Sequence, residues 1–482
     1  MADTAGAAVS LSILGSALVA VAIGYAVLCA LWPRGVSLRP YRWLVWSLAV
    51  GVGVGLTAVG LFCWLLLFGV PGWALVAVEL AVLALFGGWL ARRRRARAAG
   101  ATPIEVDDTP SPECPRIVAL AFGVTLVCAV AAFVGLSAAA PHGGWDAWMN
   151  WNLRARLIFR GGTDWRAAFS PLLDWSHPDY PLLLQGSVVR TWVYHGRETL
   201  AGPVSIAFLF TFSTFALLAS AVAAFRGRAQ GLLAGLVLLA TPFFIFHGIS
   251  QYGDVPVGFF FLATLVLAAL HQRHGEQTGA FLVLAGLTTG LAAWTKNEGI
   301  LFLGAFALSA VVTARRPGDA RRLASEGRAF ALGLLPMLVV VGLFKLRLAP
   351  PNDLMSALGS GEILHRVTDP GRYALVARSY VTGILGFGAN GLVSGVWLLV
   401  AYGLCVGVRP EEARTRWFRL AAAALVLMLV GHAAVFVATA DDVARLLNSS
   451  LERLLLQLWP ATLFACFMVI ATPGEASSPG AA

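Results

Sequence analysis

The feature that most constrains this chain is the regular return of long apolar runs. About thirteen runs approach the roughly twenty residues that a helix needs to cross a bilayer. They cover, to within a few residues, 7–32, 43–69, 73–91, 117–138, 200–225, 231–249, 255–271, 279–295, 299–314, 329–348, 384–408, 418–439 and 454–471. At 58% hydrophobic and 12% charged residues, the chain has more apolar surface than one soluble core could bury. The sequence predicts an all-α polytopic membrane protein, in which 279–295 and 299–314 are short enough to form one re-entrant pair.

Arginine-rich loops follow alternate runs, and this alternation predicts an orientation. The groups are Arg34, Arg39 and Arg42; Arg92 to Arg95 with Arg97; Arg226 and Arg228; Arg273; Arg315, Arg316, Arg321, Arg322 and Arg328; and Arg409, Arg414, Arg416 and Arg419. By the positive-inside rule these loops face the cytoplasm, which also accounts for the net charge of +10 without a nucleic-acid partner. Few lysines with abundant Ala, Gly and Arg are typical of a GC-rich bacterium. We therefore expect a multi-pass protein of the bacterial inner (plasma) membrane.

The same pattern divides the chain into regions. The predicted regions are an N-terminal three-span accessory segment (1–91), a basic cytoplasmic linker (92–116), a transmembrane module (117–348) with the outer loop 139–199, C-terminal spans (349–471) with outer loops 349–383 and 440–453, and a disordered tail (472–482).

The longest polar interruption begins with W-D-A-W-M-N-W-N-L-R-A-R, from Trp145 to Arg156. As a helix, this segment would place Asp146, Asn150 and Arg154 on one face and the tryptophans on another, which is typical of a helix lying in the membrane interface. One interpretation is a plain interfacial anchor with an incidental aspartate. We favour a functional carboxylate, because an acid flanked by tryptophan is costly unless it is paired or used.

The same loop continues with H-P-D-Y-P, which cannot be helical because each proline pushes the preceding residue toward extended geometry. In an extended chain His177 and Asp179 point the same way. The pair is either a rigid turn before the next helix or a second acid beside Asp146. The loop also breaks the charge rule, which an anionic ligand would explain. Its arginines are Arg154, Arg156, Arg160, Arg166, Arg190 and Arg197.

Three further ionisable positions fall at the outer ends of predicted spans. Asp254 begins a span, where it could cap the helix or contact a substrate. Lys296 lies beside Glu298, either as a snorkelling pair or as a ligand contact. Arg453 stands at the head of the final run.

Together these segments resemble the GT-C superfamily of polyprenyl-phosphate-sugar-dependent membrane glycosyltransferases, which includes protein mannosyltransferases and the aminoarabinose transferases of lipid A. The resemblance covers 117–471 and depends on the order of G-W-D-A-W, H-P-D-Y-P-L-L, Q-Y-G-D-V-P, A-W-T-K-N-E-G and S-S-L-E-R-L-L-L-Q-L-W-P. It implies a GT-C-like fold of about 13 transmembrane helices with interfacial helices in the large outer loop. The three preceding spans and the single loop aspartate depart from the family pattern.

The resemblance also implies an activity, namely inverting transfer of a sugar from a polyprenyl-phosphate donor to a hydroxyl of a glycan, lipid or protein acceptor in the cell envelope. Asp146 matches the catalytic base, with Asp179 as a second catalytic carboxyl. The expected substrate-binding residues are Trp145, Asn150, Arg154, Arg156, His177, Tyr180, Asp254, Lys296, Glu298 and Arg453. No cofactor is expected, since one carboxylate is too few ligands for a divalent cation, although such a cation stays an open alternative.

Two other classes of membrane protein fit the same apolar pattern. A transporter or flippase of lipid-linked saccharides would place charges in mid-span and break its helices there. An O-antigen ligase or polymerase would carry its large outer loop late in the chain. Here the ionisable residues lie at span ends, and the large loop comes before the middle, which favours the transferase.

Overall fold

The computed structural model describes residues 2–98, 114–275, 278–314, 319–351, 362–388 and 394–472. These residues form an all-helical protein. The helices are α1 (Ala2–Leu31), α2 (Arg42–Phe68), α3 (Trp73–Ala98), α4 (Arg116–Ala139), α5 (Asn152–Gly161), α6 (Leu183–His195), α7 (Ala201–Arg226), α8 (Arg228–Leu239), α9 (Pro242–Ile249), α10 (Asp254–His274), α11 (Gly279–Thr295), α12 (Asn297–Val312), α13 (Asp319–Arg347), α14 (Ile363–Thr368), α15 (Pro370–Gly386), α16 (Gly395–Val406), α17 (Pro410–Ala413), α18 (Arg416–Ala438) and α19 (Val443–Val469). A π-helical turn (Ala147–Trp151) and two 3₁₀ segments (Gly162–Phe169 and Pro171–Ser176) complete the outer loop.

Nine helices in these ranges are long and apolar enough to cross a membrane, namely α1, α2, α3, α4, α7, α10, α13, α18 and α19. The chain is therefore a polytopic helical membrane protein. A further apolar pair, α8 and α9, is bent by 63°, and α11, α12 and α16 are apolar but shorter.

Several predicted boundaries differ from the structure. The run 231–249 is broken before Pro242, because proline has no N–H with which to continue α8. The predicted loop 349–383 contains α14 and most of α15, while the predicted span 384–408 contains only α16 as a full helix. The final span begins at Val443 rather than 454, so Arg453 lies well inside a helix. The basic run of the predicted linker 92–116 belongs to α3.

Part of the remaining prediction lies outside the described residues. Residues 99–113, the middle of the predicted linker, are among these, and so is nearly all of the predicted tail 472–482.

Two polar layers lie at opposite ends of α10. At one end, His274 Nε2 is 2.8 Å from the hydroxyl of Tyr41, and Arg273 donates to the carbonyl of Ala224 at 2.7 Å. At the other end is Asp254, the first residue of the helix. With 21 residues, α10 is about 31 Å long, close to the thickness of the hydrocarbon layer. The polar layers are thus separated by one membrane thickness.

The core surrounds α10. In its most apolar window 94% of the residues are buried, compared with 11% in α3 and in α4. The two outer helices instead expose large apolar side chains, such as Leu85 (76%) and Ile117 (71%). A membrane protein presents such faces to lipid, so α3 and α4 belong to the periphery.

The N-terminal helices are packed into the rest of the protein. A Cβ at Gly53 of α2 would collide with the carbonyl of Ala20, so glycine lets α1 and α2 approach closely. Arg190 of α6 donates to both carboxylate oxygens of Glu79 on α3, at 2.6 to 2.9 Å, and to the carbonyl and hydroxyl oxygens of Ser16 on α1. Arg190, predicted to meet an anionic ligand, instead has a protein partner.

Candidate active site

Asp254 is the centre of a charged cluster at the end of α10. Its side chain is fully buried. Its Oδ1 accepts from Lys296 Nζ at 2.9 Å and from Gln457 Nε2 at 2.7 Å, and its Oδ2 accepts from Arg453 Nε at 3.0 Å. Asp254 is the first residue of α10, where its negative charge also favours the positive end of the helix dipole, so the capping role expected from the sequence remains compatible with the structure. These three hydrogen bonds occupy both carboxylate oxygens of Asp254, and we call this carboxylate saturated.

Asp146 joins the cluster from the outer loop. Its Oδ2 accepts from Arg453 Nη2 at 2.5 Å, and its side chain keeps 19% exposure, whereas Asp254 keeps none. Within the described part of the chain, Oδ1 of Asp146 accepts no hydrogen bond. Arg453 therefore binds two carboxylates, the saturated one of Asp254 and the solvent-accessible one of Asp146.

Glu298 is the third carboxylate of the cluster. Its Oε1 lies 2.7 Å from Lys296 Nζ and 3.3 Å from Gln457 Nε2, while its buried Oε2 has no partner among the described residues. The charged cluster (Asp146, Asp254, Lys296, Glu298 and Arg453) thus contains three carboxylates and two cations, a formal charge of −1. Five predicted site residues from four distant segments meet here.

Local sequence explains how these side chains converge. A Cβ on Gly253 would lie 3.0 Å from both Lys296 Cδ and Trp151 Cζ2, so a side chain there would push the lysine away. The ring of Tyr252 lies 4.7 Å from Arg453 Cζ, a cation–π contact that orients the guanidinium. Burial raises the pKa of the Tyr252 phenol, which therefore stays protonated at neutral pH.

Asp179 lies in an adjoining group rather than in the cluster itself. Its Oδ2 accepts from Asn297 Nδ2 at 2.7 Å, and Lys345 Nζ lies 3.6 Å from it. Lys345 also donates to Asn297 Oδ1 at 2.7 Å. The whole chain contains only two lysines, Lys296 and Lys345, and both belong to this site.

Tyr180 connects the two groups. Lys296 Nζ lies 5.9 Å from the centroid of its ring, and the ring of Trp151 packs on it at 5.3 Å. Burial raises the pKa of the Tyr180 phenol, so its O–H remains a donor at neutral pH.

The predicted extended geometry at 177–179 is wrong. His177 adopts the left-handed conformation, with φ 49° and ψ 62°, and its carbonyl accepts from the N–H of Tyr180 at 3.1 Å. A chain reversal therefore replaces the extended chain, and the two side chains have different environments. The ring of His177 lies 5.5 Å from that of Tyr180, whereas Asp179 is buried against Asn297.

The predicted single face of the loop helix is also wrong. A π-helical turn over Ala147–Trp151 has more residues per turn than an α-helix, so an i, i+4 spacing no longer aligns. Asn150 is buried outside the cluster. Arg154 is buried and donates to the carbonyl of Ser176 at 2.5 Å, and burial lowers the pKa of its guanidinium to about 10. It remains charged at neutral pH.

The outer arginines of the loop have protein partners too. Arg160 Nε lies 2.5 Å from Glu198, and Arg156 lies 3.7 Å from the same carboxylate. Trp145 and Trp148 are 58% and 43% exposed, with ring centroids 4.6 Å apart. Arg156 and Trp145 therefore contact none of the charged cluster, and the tryptophans fit the expected interfacial surface.

His432 is a buried neighbour of the cluster that sequence analysis missed. It is 3% exposed, and neither ring nitrogen has a hydrogen-bond partner among the described residues. The adjacent Gly431 packs on Leu301, which shares a face of α12 with Glu298, and the charges of Glu298 and Lys296 reach the imidazole. His432 is thus a buried imidazole on α18, the helix that packs against α12.

We expect His432→Leu to leave the free energy of unfolding unchanged or to raise it by up to about 1 kcal/mol. Leucine removes two buried nitrogens with unmet hydrogen bonds and loses no bond in exchange. Thermal unfolding in detergent measures the effect, and the buried Phe436 one turn further on provides the control, since Phe436→Ala should cost about 3–5 kcal/mol. A loss above about 1 kcal/mol for His432→Leu would contradict the prediction and indicate a bonded water.

Other members of the site were missed by sequence reasoning, although signals for two of them existed. These members are Gln457, Tyr252, Asn297 and Lys345. Gln457 lies four residues after Arg453, which places both on one helical face. The rarity of lysine could have selected Lys345. His432 also had a signal, since it is an ionisable residue in the middle of the apolar run 418–439.

The described residues contain no group of three or more His, Cys, Asp or Glu side chains that could hold a metal ion. The absence of a metal requirement therefore stays a prediction. Comparison of the chain with protein-family models, with curated proteins and with solved structures gives no match.

Proposed function

We propose that the protein is an inverting glycosyltransferase that moves a sugar from a polyprenyl-phosphate donor to an acceptor hydroxyl at the outer face of the inner membrane. The observation that carries the proposal is the sharing of Arg453 between a saturated buried carboxylate, Asp254, and an accessible one, Asp146. An accessible carboxylate next to a guanidinium, at the level where spans end, supplies both a proton acceptor and an anion contact.

In the proposed reaction, the acceptor oxygen bonds to the anomeric carbon as the bond from that carbon to the phosphate oxygen breaks. The hydroxyl proton passes to Asp146, and the polyprenyl phosphate leaves as an anion. A single displacement inverts the anomeric centre. General-base assistance of this kind is worth roughly 10²–10⁴ in rate.

The charges of the cluster suggest how Asp146 is activated. A carboxylate bound to arginine is a weak base, because the cation stabilises its ionised form. Arg453 Nη1 makes no hydrogen bond within the described residues, so a donor phosphate can bind this edge and compete with Asp146 for the guanidinium. Donor binding would then release the base only when its substrate is present.

The membrane topology of the proposal follows the resemblance. Nine helices are long enough to cross the membrane, or ten if the bent pair is one span, and the proposed thirteen crossings require that α11, α12 and α16 each cross as well. Under this arrangement the charged cluster faces the periplasm or exterior, and the polar layer around Arg273, at the other end of α10, faces the cytoplasm.

A flippase of lipid-linked saccharides is the second candidate. The bend of 63° between α8 and α9 and the buried pair of Glu79 and Arg190 within the bundle are features that transporters use. The two candidates differ in the fate of the glycosyl phosphate bond, which a flippase leaves intact.

The test uses purified protein mixed with acceptor-bearing membranes and polyprenyl phosphates carrying labelled hexoses or pentoses. We expect release of free polyprenyl phosphate together with label in the acceptor fraction. Movement of intact donor across the bilayer without release would favour the flippase. If neither release nor movement occurs with any donor, the proposal is wrong.

A further inference from the structure

A cleft opens at the end of the bundle opposite the charged cluster. It has a volume of about 480 Å³, within the range of small-molecule sites. Its walls are the ends of α7, α10 and α19, the start of α18 and the short segment between α16 and α18. Arg273 lies nineteen residues after Asp254 on α10, so the cleft is roughly 28 Å from the charged cluster along this helix. The two sites are separate.

The polar wall of the cleft is basic. Its lining contains Arg226, Arg273 and Arg409 and one carboxylate, Glu412, a formal charge of +2. Arg409 forms ion pairs with Glu412 at 3.4 Å and with Glu411, outside the lining, at 3.3 Å, so Arg226 and Arg273 supply most of the positive charge. Arg273 is held by a bond from Nη1 to the carbonyl of Ala224, while its Nε and Nη2 make none within the described ranges. An anion in the cleft can therefore take these donors.

The backbone fixes the arginines in place. The N–H of Arg409 donates to the carbonyl of Val469 at 2.8 Å, which ties the segment before α18 to the end of α19. Arg226 Nη2 donates to the carbonyl of Ile470. Thr415 caps α18, a helix of 23 residues whose positive N-terminal end also lines the cleft. The site is thus built by five packed elements and not by mobile surface side chains.

The rest of the lining is mostly apolar. Phe225, Ala269, Trp417 and Met468 belong to it, and the guanidinium of Arg273 lies 5.1 Å from the ring centroid of Phe225. A soluble anion gains nothing from such a wall, whereas a lipid can place its phosphate on the arginines and its glycerol and acyl carbons on the aromatic side. Basic pockets at the ends of transmembrane helices bind anionic headgroups by this chemistry.

We propose that this basic cleft binds the phosphate headgroup of an anionic glycerophospholipid. The proposal does not depend on the activity proposed for the charged cluster. It predicts that a lipid with a net negative headgroup binds specifically, and that a zwitterionic lipid of the same chain length does not.

The test measures binding of phosphatidylglycerol to purified full-length protein in neutral detergent by native mass spectrometry. In the variant with Arg226→Gln, Arg273→Gln and Arg409→Gln we expect about 100-fold weaker binding, since each arginine near an anionic headgroup contributes about fivefold. Arg273→Gln alone, a change at an exposed position that loses only the contact with Phe225 and the bond to the carbonyl of Ala224, should cost about fivefold. This single variant keeps the test informative if the triple variant folds poorly.

The matched control carries Arg34→Gln, Arg39→Gln and Arg328→Gln, which remove the same charge from exposed positions outside the cleft. We expect its affinity to stay within about threefold of the unmodified protein. Equal losses in the cleft and control variants would overturn the proposal, and so would equal binding of phosphatidylcholine. Binding of chain-free glycerophosphoglycerol as tightly as the intact lipid would overturn the lipid assignment.

Discussion

Asp146→Asn is expected to lower the rate of sugar transfer by about 10²–10⁴-fold while the protein folds and inserts normally. The amide has almost the shape of the carboxylate, and its oxygen can still accept from Arg453, but it cannot take a proton. Donor affinity should change little or improve, because Arg453 no longer shares a carboxylate with the phosphate. The loss should therefore appear in kcat and not in the KM for the donor.

Two aspartates of the same outer loop provide matched controls. Asp164 and Asp174 are both exposed, and neither side chain contacts the charged cluster. Asn at either position makes the same chemical change a short distance away, and activity should remain within about twofold. Transfer at the normal rate by Asp146→Asn would remove the base assignment, and a uniform loss in all three variants would indicate a general effect on the loop.

The charged cluster shows which parts of a site a sequence can predict. Asp254, Lys296 and Arg453 could be selected because an ionisable side chain at the end of an apolar run is costly unless it has a partner or a use. Their mutual contacts could not be predicted. Asp254 and Arg453 are 199 residues apart, and only the packing of α10 against α19 brings them within 3.0 Å.

Local geometry in the outer loop was predicted less well. The π-helical turn before α5 has no residue signature, and its extra residue changes which side chains share a face with Asp146. The left-handed conformation of His177 is uncommon for a residue other than glycine, so the rule for residues before proline favoured the wrong geometry. Tertiary contacts determined both outcomes.

The positions of the long helices were predicted best, because apolar length alone decides whether a helix can span a bilayer. The chief error, the break between α8 and α9, arose because a run of apolar residues conceals a change in direction. Pro242 was the visible signal of the break. The partners of the loop arginines could not be predicted for a different reason. Glu79, the acid that pairs with Arg190, lies in a span 111 residues earlier in the chain.

Arg190→Met is expected to lower the free energy of unfolding by about 3–5 kcal/mol, which is a large part of the stability of a typical domain. The substitution leaves the buried carboxylate of Glu79 without its cation and removes the bonds that Arg190 donates to the carbonyl and hydroxyl oxygens of Ser16. The hydroxyl of Tyr194, 2.6 Å from Glu79, is then the only side-chain donor remaining to that carboxylate among the described residues. Thermal or denaturant unfolding in a fixed detergent measures the loss.

A double variant separates the cost of an unpaired charge from the worth of the pair. Replacement of both partners, with Arg190→Met and Glu79→Met, removes the buried charges together and should recover most of the lost stability. Arg197→Met, an exposed change two residues beyond α6, should cost less than about 0.5 kcal/mol. If the double variant is as unstable as Arg190→Met, the pair itself stabilises the contact of α1 and α3 with α6, and the N-terminal spans depend on it. If the double variant regains its stability, apolar packing holds these helices together. The ion pair would then serve to disfavour other packing arrangements of α1, α3 and α6.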